Sequence, residues 1–223
     1  MKSEIKGMRF SDDLEFSRHP KIRMKLGSFY NDLFNRMGLM IHDVSEPDYE
    51  ASPEGQEMQT CGVDITLHNG IKVWISEKFR RYNGKIPMVF LEVHHDIRKD
   101  QYGWTQFSKA DYIVWVFWDK DKDDFSYGGA LDSVFMFDGF ELMKWFRRLR
   151  HEGDTLIDKD GTMFPIEKNL PTHRRDGSIR NVGSYIKLPV NHPKISQFQV
   201  DLLNPKPIPK LRQTQDATLR DYF

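Results

Sequence analysis

At 223 residues, with 39% hydrophobic and 30% charged side chains, the chain can bury a sizeable core, and no apolar run approaches the length of a membrane span. Its 33 basic residues balance 33 acidic ones, so bulk charge selects neither nucleic acid nor membrane, although a basic groove offset by acids elsewhere stays open. Cys61 is the only cysteine, which excludes an intramolecular disulfide and a cysteine-rich zinc cluster and fits a reducing, intracellular compartment.

Residues 1–20 hold no apolar segment of the kind a secretory signal needs. Over residues 18–40, Ile22, Leu26, Phe29, Leu33, Phe34 and Met37 recur at spacings of three and four, which predicts an amphipathic helix stopped by Gly38. Residues 41–60 begin with a short strand and continue as a polar loop broken by Pro47, Pro53 and Gly55. In residues 61–81, Val63, Ile65 and Leu67 alternate, Asn69 and Gly70 make a turn, and Ile71, Val73 and Ile75 resume the alternation, so a β-hairpin is expected. Residues 87–94 and 111–119 are apolar runs of strand length, the first carrying the acid Glu92 and the second so apolar that it should be buried. A short helical turn at residues 105–109 lies between them. Residues 133–137 predict another strand. Asp138 then caps a helix with Phe140, Leu142, Met143, Trp145, Phe146 and Leu149 on its apolar face, Arg147, Arg148 and Arg150 as a solvated end, and Gly153 as its stop. Residues 184–190 offer one more strand, and the proline-rich residues 204–215 an extended tether. The order predicts an α/β domain over residues 1–203, with a mixed central β-sheet flanked by helices.

Within the hairpin, acids and a lysine come close together. Asp64 lies in its first strand and Ser76, Glu77 and Lys78 near the end of its second. Hydrolysis of a phosphodiester needs a divalent metal on at least two hard oxygens, with a lysine to orient the nucleophile or steady the phosphate. Asp64, Glu77, Glu92 and Lys78 make up such a set. Strand alternation places Glu77 opposite Ser76 and Lys78 unless a bulge intervenes, and an acid beside a lysine on a strand is also the pattern of a solvated pair. His94 and His95 fit a hydrogen-bonding role at a strand end as well as an acid–base one. Trp104, Trp115 and Trp118 read as core.

Asp64 followed by Ser76-Glu77-Lys78-Phe79-Arg80 resembles the PD-(D/E)XK nuclease superfamily, and most closely its viral and phage branch with a glutamine-glutamate-lysine-aromatic-arginine pentad. Glu92, Gly103-Trp104 and the segment from Ser108 to Tyr112 extend the likeness over residues 58–119. Ser76 departs from it, since the branch carries a glutamine or an acid there; Glu15 and Asp32 are candidates for the first-helix acid of some members. The resemblance implies a restriction-endonuclease-like fold and a Mg²⁺- or Mn²⁺-dependent deoxyribonuclease, endonuclease rather than exonuclease, of replication, recombination or repair. It implies metal on Asp64, Glu77 and Glu92 with Lys78 beside them, and it leaves room for a homodimer. The alternatives are a DNA-binding or replication-accessory protein with a degraded site, and an interaction protein whose hairpin acids are incidental.

DNA contacts are expected from Arg80, Arg81 and Lys85 beside the catalytic strand and from Lys109, Arg174 and Arg175 further out. The last residues, 216–223, place Leu219 three positions before Tyr222 and Phe223 and resemble a sliding-clamp-interacting peptide, the PIP box, with Asp216 where glutamine is usual. One helical turn would gather Leu219, Tyr222 and Phe223 on one side for an apolar clamp pocket.

Overall fold

A computed structural model of the chain describes residues 20–39, 43–45, 65–68, 72–81, 86–118, 134–169, 171–173 and 178–207. Asp64, Lys85, Arg174, Arg175, the turn at Asn69 and Gly70, and the peptide with Leu219, Tyr222 and Phe223 lie outside these residues, as does the side chain of Arg81.

The apolar spacing after residue 18 folds as helix α1, Pro20–Arg36, whose inner stripe of Ile22, Leu26, Tyr30, Leu33 and Phe34 is buried. Gly38 ends it in the left-handed conformation (φ +82°), and the Leu39 and Gly38 amides donate back to the carbonyls of Phe34 and Asn35, a Schellman cap. The central sheet has the order β1 (Asp43–Ser45), β2 (Ile65–His68), β3 (Lys72–Arg81), β6 (Tyr112–Trp118), β7 (Val134–Asp138). Strands β2 and β3 pair antiparallel, Ile65 against Ile75 and Leu67 against Val73; β3 and β6 run parallel, Lys78 against Trp115; β6 and β7 are antiparallel. The sheet is therefore mixed, as its sequence order implies.

The strand β4 (Met88–Asp96) does not join it. With β5 (Gln101–Tyr102), β11 (Glu167–Lys168) and β14 (Ser184–Pro189) it forms a second sheet, ordered β11-β14-β4-β5. The reason is β6: its bulky residues from Tyr112 to Phe117, buried on both sides, occupy the slot beside β3 and leave β4 to cover one face instead.

Two apolar layers result. Val73, Ile75, Phe79, Val114 and Val116 of the central sheet pack against α1. On the other face Ile113, Trp115 and Phe117 meet Val89, Leu91 and Val93 of β4, Ile186 and Leu188 of β14, and Leu142, Met143 and Phe146 of a helix after β7. Between the strands, a one-turn helix α2 (Trp104–Phe107) follows β5, where the helical turn was expected. The helix after β7, α3 (Gly139–Phe146), starts as expected, the Asp138 carboxylate accepting from the Glu141 amide at 3.0 Å.

It ends earlier than its spacing implies. β8 (Arg150–Glu152) begins four residues later and turns at Gly153, in the left-handed region at φ +56°, into β9 (Thr155–Ile157). Gly153 thus serves a hairpin rather than a helix stop. Arg147 is not a purely solvated cation either, since its guanidinium donates to the Ser108 carbonyl at 2.7 Å. Beyond β9 come β10 (Met163–Pro165), the small pair β12 (Thr172–His173) and β13 (Ile179–Asn181), and a one-turn helix α4 (Pro193–Ser196). No helix among the described residues is long and apolar enough to cross a membrane.

Candidate functional site

The alternation of β3 decides which side chains can act together. Glu77 points to the α1 face, where it is buried with 4% of its side chain exposed. There it accepts from the Tyr30 hydroxyl on Oε1 and from Arg23 Nη1 on Oε2, both at 2.6 Å. Both oxygens therefore have strong donors, and the carboxylate closes a layer that is otherwise apolar. Ser76 and Lys78 point the other way, and the Lys78 ammonium donates to Ser76 Oγ at 2.7 Å. The expected convergence of Glu77 with Lys78 on one metal does not occur, because no bulge interrupts β3 between them and neighbouring residues of a regular strand take opposite faces.

Glu92 does reach the Lys78 side. The Lys78 Nζ stands 4.8 Å from the centroid of the Trp104 ring, a cation–π seat, and the Trp104 amide donates to Glu92 Oε2 at 3.0 Å. The Thr105 hydroxyl donates to the Glu92 carbonyl. Gly103 makes this approach possible: a Cβ there would stand 2.6 Å from Glu92 Cγ and closer still to the Glu92 carbonyl oxygen, which no side chain tolerates. The Gly-Trp pair is thus a backbone clamp that holds the carboxylate of β4 on the Trp104 amide, while the Trp104 ring seats the lysine of β3.

One residue more on β4 than on β14 adds to this. Tyr185 faces Glu92 and Ser184 faces His94, so Val93 is the extra residue of a bulge. Across it Glu92 Oε1 comes within 3.5 Å of His95 Nδ1, while His95 Nε2 is 3.3 Å from the Asn181 amide nitrogen. His94 instead has its Nδ1 3.0 Å from Ser184 Oγ and its ring stacked on Tyr102. The hydrogen-bonding reading of His94 fits; His95 is tied to the carboxylate.

Near Lys78 the hard oxygens traced by its contacts are the Ser76 hydroxyl, directly, and the Glu92 carboxylate, through Trp104. That pair holds a divalent ion only with a further anionic oxygen, and Asp64, expected to supply it, lies outside the described residues. Glu77 does not fit as a ligand, being on the wrong face with both oxygens engaged. Among the described residues no three His, Cys, Asp or Glu side chains converge as a metal site.

Arg80, two residues beyond Lys78 on the same face, lies over the Phe90 ring of β4, with Cζ 5.5 Å from its centroid. The Arg81 backbone pairs with Trp118, and Lys109 is half-buried beside the α2 turn. Asp32 is exposed and paired with Arg36 Nη2 at 2.9 Å, away from this face. Trp115 is fully buried and Trp104 half-buried, as core residues should be. Sequence reasoning passed over Phe90, Tyr185 and Lys187. Their signal was available: in β14 Tyr185 and Lys187 occupy the phase opposite the apolar Ile186 and Leu188.

No family model, curated protein or solved structure matches this chain.

Proposed function

We propose that the protein is a metal-dependent DNA nuclease of the PD-(D/E)XK kind, with its centre on the Lys78 face of β3. The observation that carries this reading is the flanking of Trp104 by Lys78 from the central sheet and Glu92 from the second sheet. The antiparallel pair of β2 and β3, with the parallel, buried β6 beside the Ser76-Glu77-Lys78 segment, supports the restriction-endonuclease-like form of the sheet. In this reading Glu92 and Asp64 would hold Mg²⁺ or Mn²⁺, which supplies charge neutralisation and an activated water. Lys78, seated on Trp104, steadies a phosphate oxygen, and Arg80 binds the adjoining phosphate. Recruitment by a sliding clamp through Leu219, Tyr222 and Phe223 belongs to the same proposal.

One observation favours a second reading, a DNA-binding or replication-accessory protein without hydrolysis. Ser76 stands where the resemblance asks for a metal ligand, and Glu77 is withdrawn to Arg23 and Tyr30. Incubation with single-stranded, duplex and branched DNA in Mg²⁺ or Mn²⁺ separates the two. Cleavage lost on Lys78→Ala, Asp64→Asn and Glu92→Gln, with DNA binding retained, supports the nuclease; binding without cleavage in the unmodified chain supports the accessory protein.

A further inference from the structure

The outer face of the second sheet carries two parallel rows of side chains. Cross-strand pairing sets Phe90 against Lys187, and one two-residue repeat away it sets Glu92 against Tyr185, with Glu167 of β11 opposite Tyr185 on its other side. In the first row Phe90 is flanked by two cations: Arg80 Cζ and Lys187 Nζ each lie 5.5 Å from its centroid. Such seating holds two long side chains in place before anything binds, which lowers the entropy cost of gripping a phosphate. In the second row the half-exposed Tyr185 ring lies 5.1 Å from Phe90, and its hydroxyl donates to Glu167 Oε2 at 3.3 Å.

We infer that this face binds single-stranded nucleic acid, the sugar–phosphate backbone running along the Arg80–Phe90–Lys187 row and an unpaired base stacking on Tyr185. The rows stand about 7 Å apart, two residues along a strand, which matches the reach from a phosphate to its own base. A cationic row beside an aromatic one is the composition that holds single strands, because every base has a π-face while the phosphates need charge. Both acids fall in the base row, where the exposed Glu167 can accept from an exocyclic amino group, and neither falls in the phosphate row. A duplex does not satisfy this layout, since its bases are stacked and paired away from the backbone. The inference rests on the nucleic-acid reading above but not on hydrolysis, and it delivers a strand to the Lys78 side chain, two residues from Arg80.

The test is fluorescence anisotropy of a labelled mixed-sequence single strand and of its duplex, in EDTA so that nothing is cut, over a range of salt. The single strand should bind more tightly than the duplex. Tyr185→Leu should weaken it about tenfold, Tyr185→Phe should restore it, and Lys187→Gln should lower the slope of log K against log salt by about 0.7. Arg36→Gln, a cation on α1 across the central sheet, is the control that leaves both unchanged. No binding at low salt, equal affinity for the duplex, or wild-type affinity in Tyr185→Leu together with an unchanged slope in Lys187→Gln each overturns the proposal. The two readings fail separately: binding through Tyr185 without cleavage in Mg²⁺ removes the nuclease and leaves this site, whereas cleavage with binding indifferent to Tyr185 does the reverse.

Discussion

Replacing Glu77 by leucine separates architecture from chemistry. The substitution leaves the Arg23 guanidinium and the Tyr30 hydroxyl facing an apolar layer. Breaking a buried ion pair by removing one partner costs about 3–5 kcal/mol, and because Arg23 keeps 21% of its side chain in solvent and can partly rehydrate, the lower end applies. A loss of about 3 kcal/mol is a change of roughly a hundredfold in the folding equilibrium. Tyr30→Phe removes one hydrogen bond to a charged acceptor and should cost about 1–2 kcal/mol. Arg23→Met combined with Glu77→Leu should recover much of the loss, since an apolar pair of similar volume replaces a buried ion pair at little cost. Urea unfolding followed by tryptophan fluorescence measures all three variants, with Trp115 fully buried in the folded chain as reporter. Below the transition, Glu77→Leu should retain the DNA cleavage and binding of the unmodified chain, whereas Lys78→Ala should lose cleavage and keep binding. A fully stable Glu77→Leu, a double variant no better than the single one, or selective loss of cleavage in a folded Glu77→Gln would refute the reasoning and return Glu77 to the chemistry.

Gly103→Ala should destabilise by about 1–3 kcal/mol through overpacking against Glu92 and should also impair any Glu92-dependent activity, both read from one purified variant by melting and by assay. Lys194 reaches Asp158 Oδ2 at 2.6 Å and also the Asp160 carboxylate, tying the β9–β10 turn to α4. Burial pushes Asp158 up, but its bonds from Lys194 and Trp145 outweigh that and leave it lowered, while bonds from Lys194 and Thr162 hold Asp160 well below the carboxylate range. Depressed carboxyls stabilise above their unfolded values near 4 and lose that contribution as the pH falls, so Lys194→Met should flatten the acid limb of a Tm–pH curve and spare neutral pH less than acid. A peptide of residues 210–223 should bind a cognate sliding clamp by calorimetry and lose affinity on Leu219→Ala or Tyr222→Ala.

The parts of this chain that were legible are those where one periodicity acts alone. α1 shows its 3.6-residue stripe and glycine stop, and β6 shows an uninterrupted apolar run that can only be buried. Pairing partners were harder. Nothing local in residues 88–96 tells whether they join the central sheet, because the outcome depends on β6 taking the place beside β3. The end of α3 was misplaced because Leu149 continues the helical spacing while Gly153 suits a hairpin equally well. At the site, the parity of Glu77 against Lys78 was legible from alternation, whereas its partners were not. They had a signal, though: Arg23 and Tyr30 lie seven residues apart on the inner face of α1, an arrangement that asks for an acid opposite. The Glu92 contacts depend on the bulge at Val93, which no residue type announces.

A strand whose core face is mainly apolar can slip by two residues along its neighbours without exposing much oil, and β3, held between β2 and β6 with Val73, Ile75 and Phe79 facing α1, is such a strand. The polar contacts of β3 work as a key in a slot. Glu77 meets Arg23 and Tyr30 in a single alignment, and in the plane of the sheet, just before β6, the Trp74 amide donates to Asp111 Oδ2 at 2.7 Å in that same alignment. Hydrophobic replacement of the ion pair can preserve the melting temperature while removing the key. The cost would then surface as heterogeneity, with amide resonances of β3 split between neighbouring alignments and Lys78 facing Trp104 in only a fraction of the molecules.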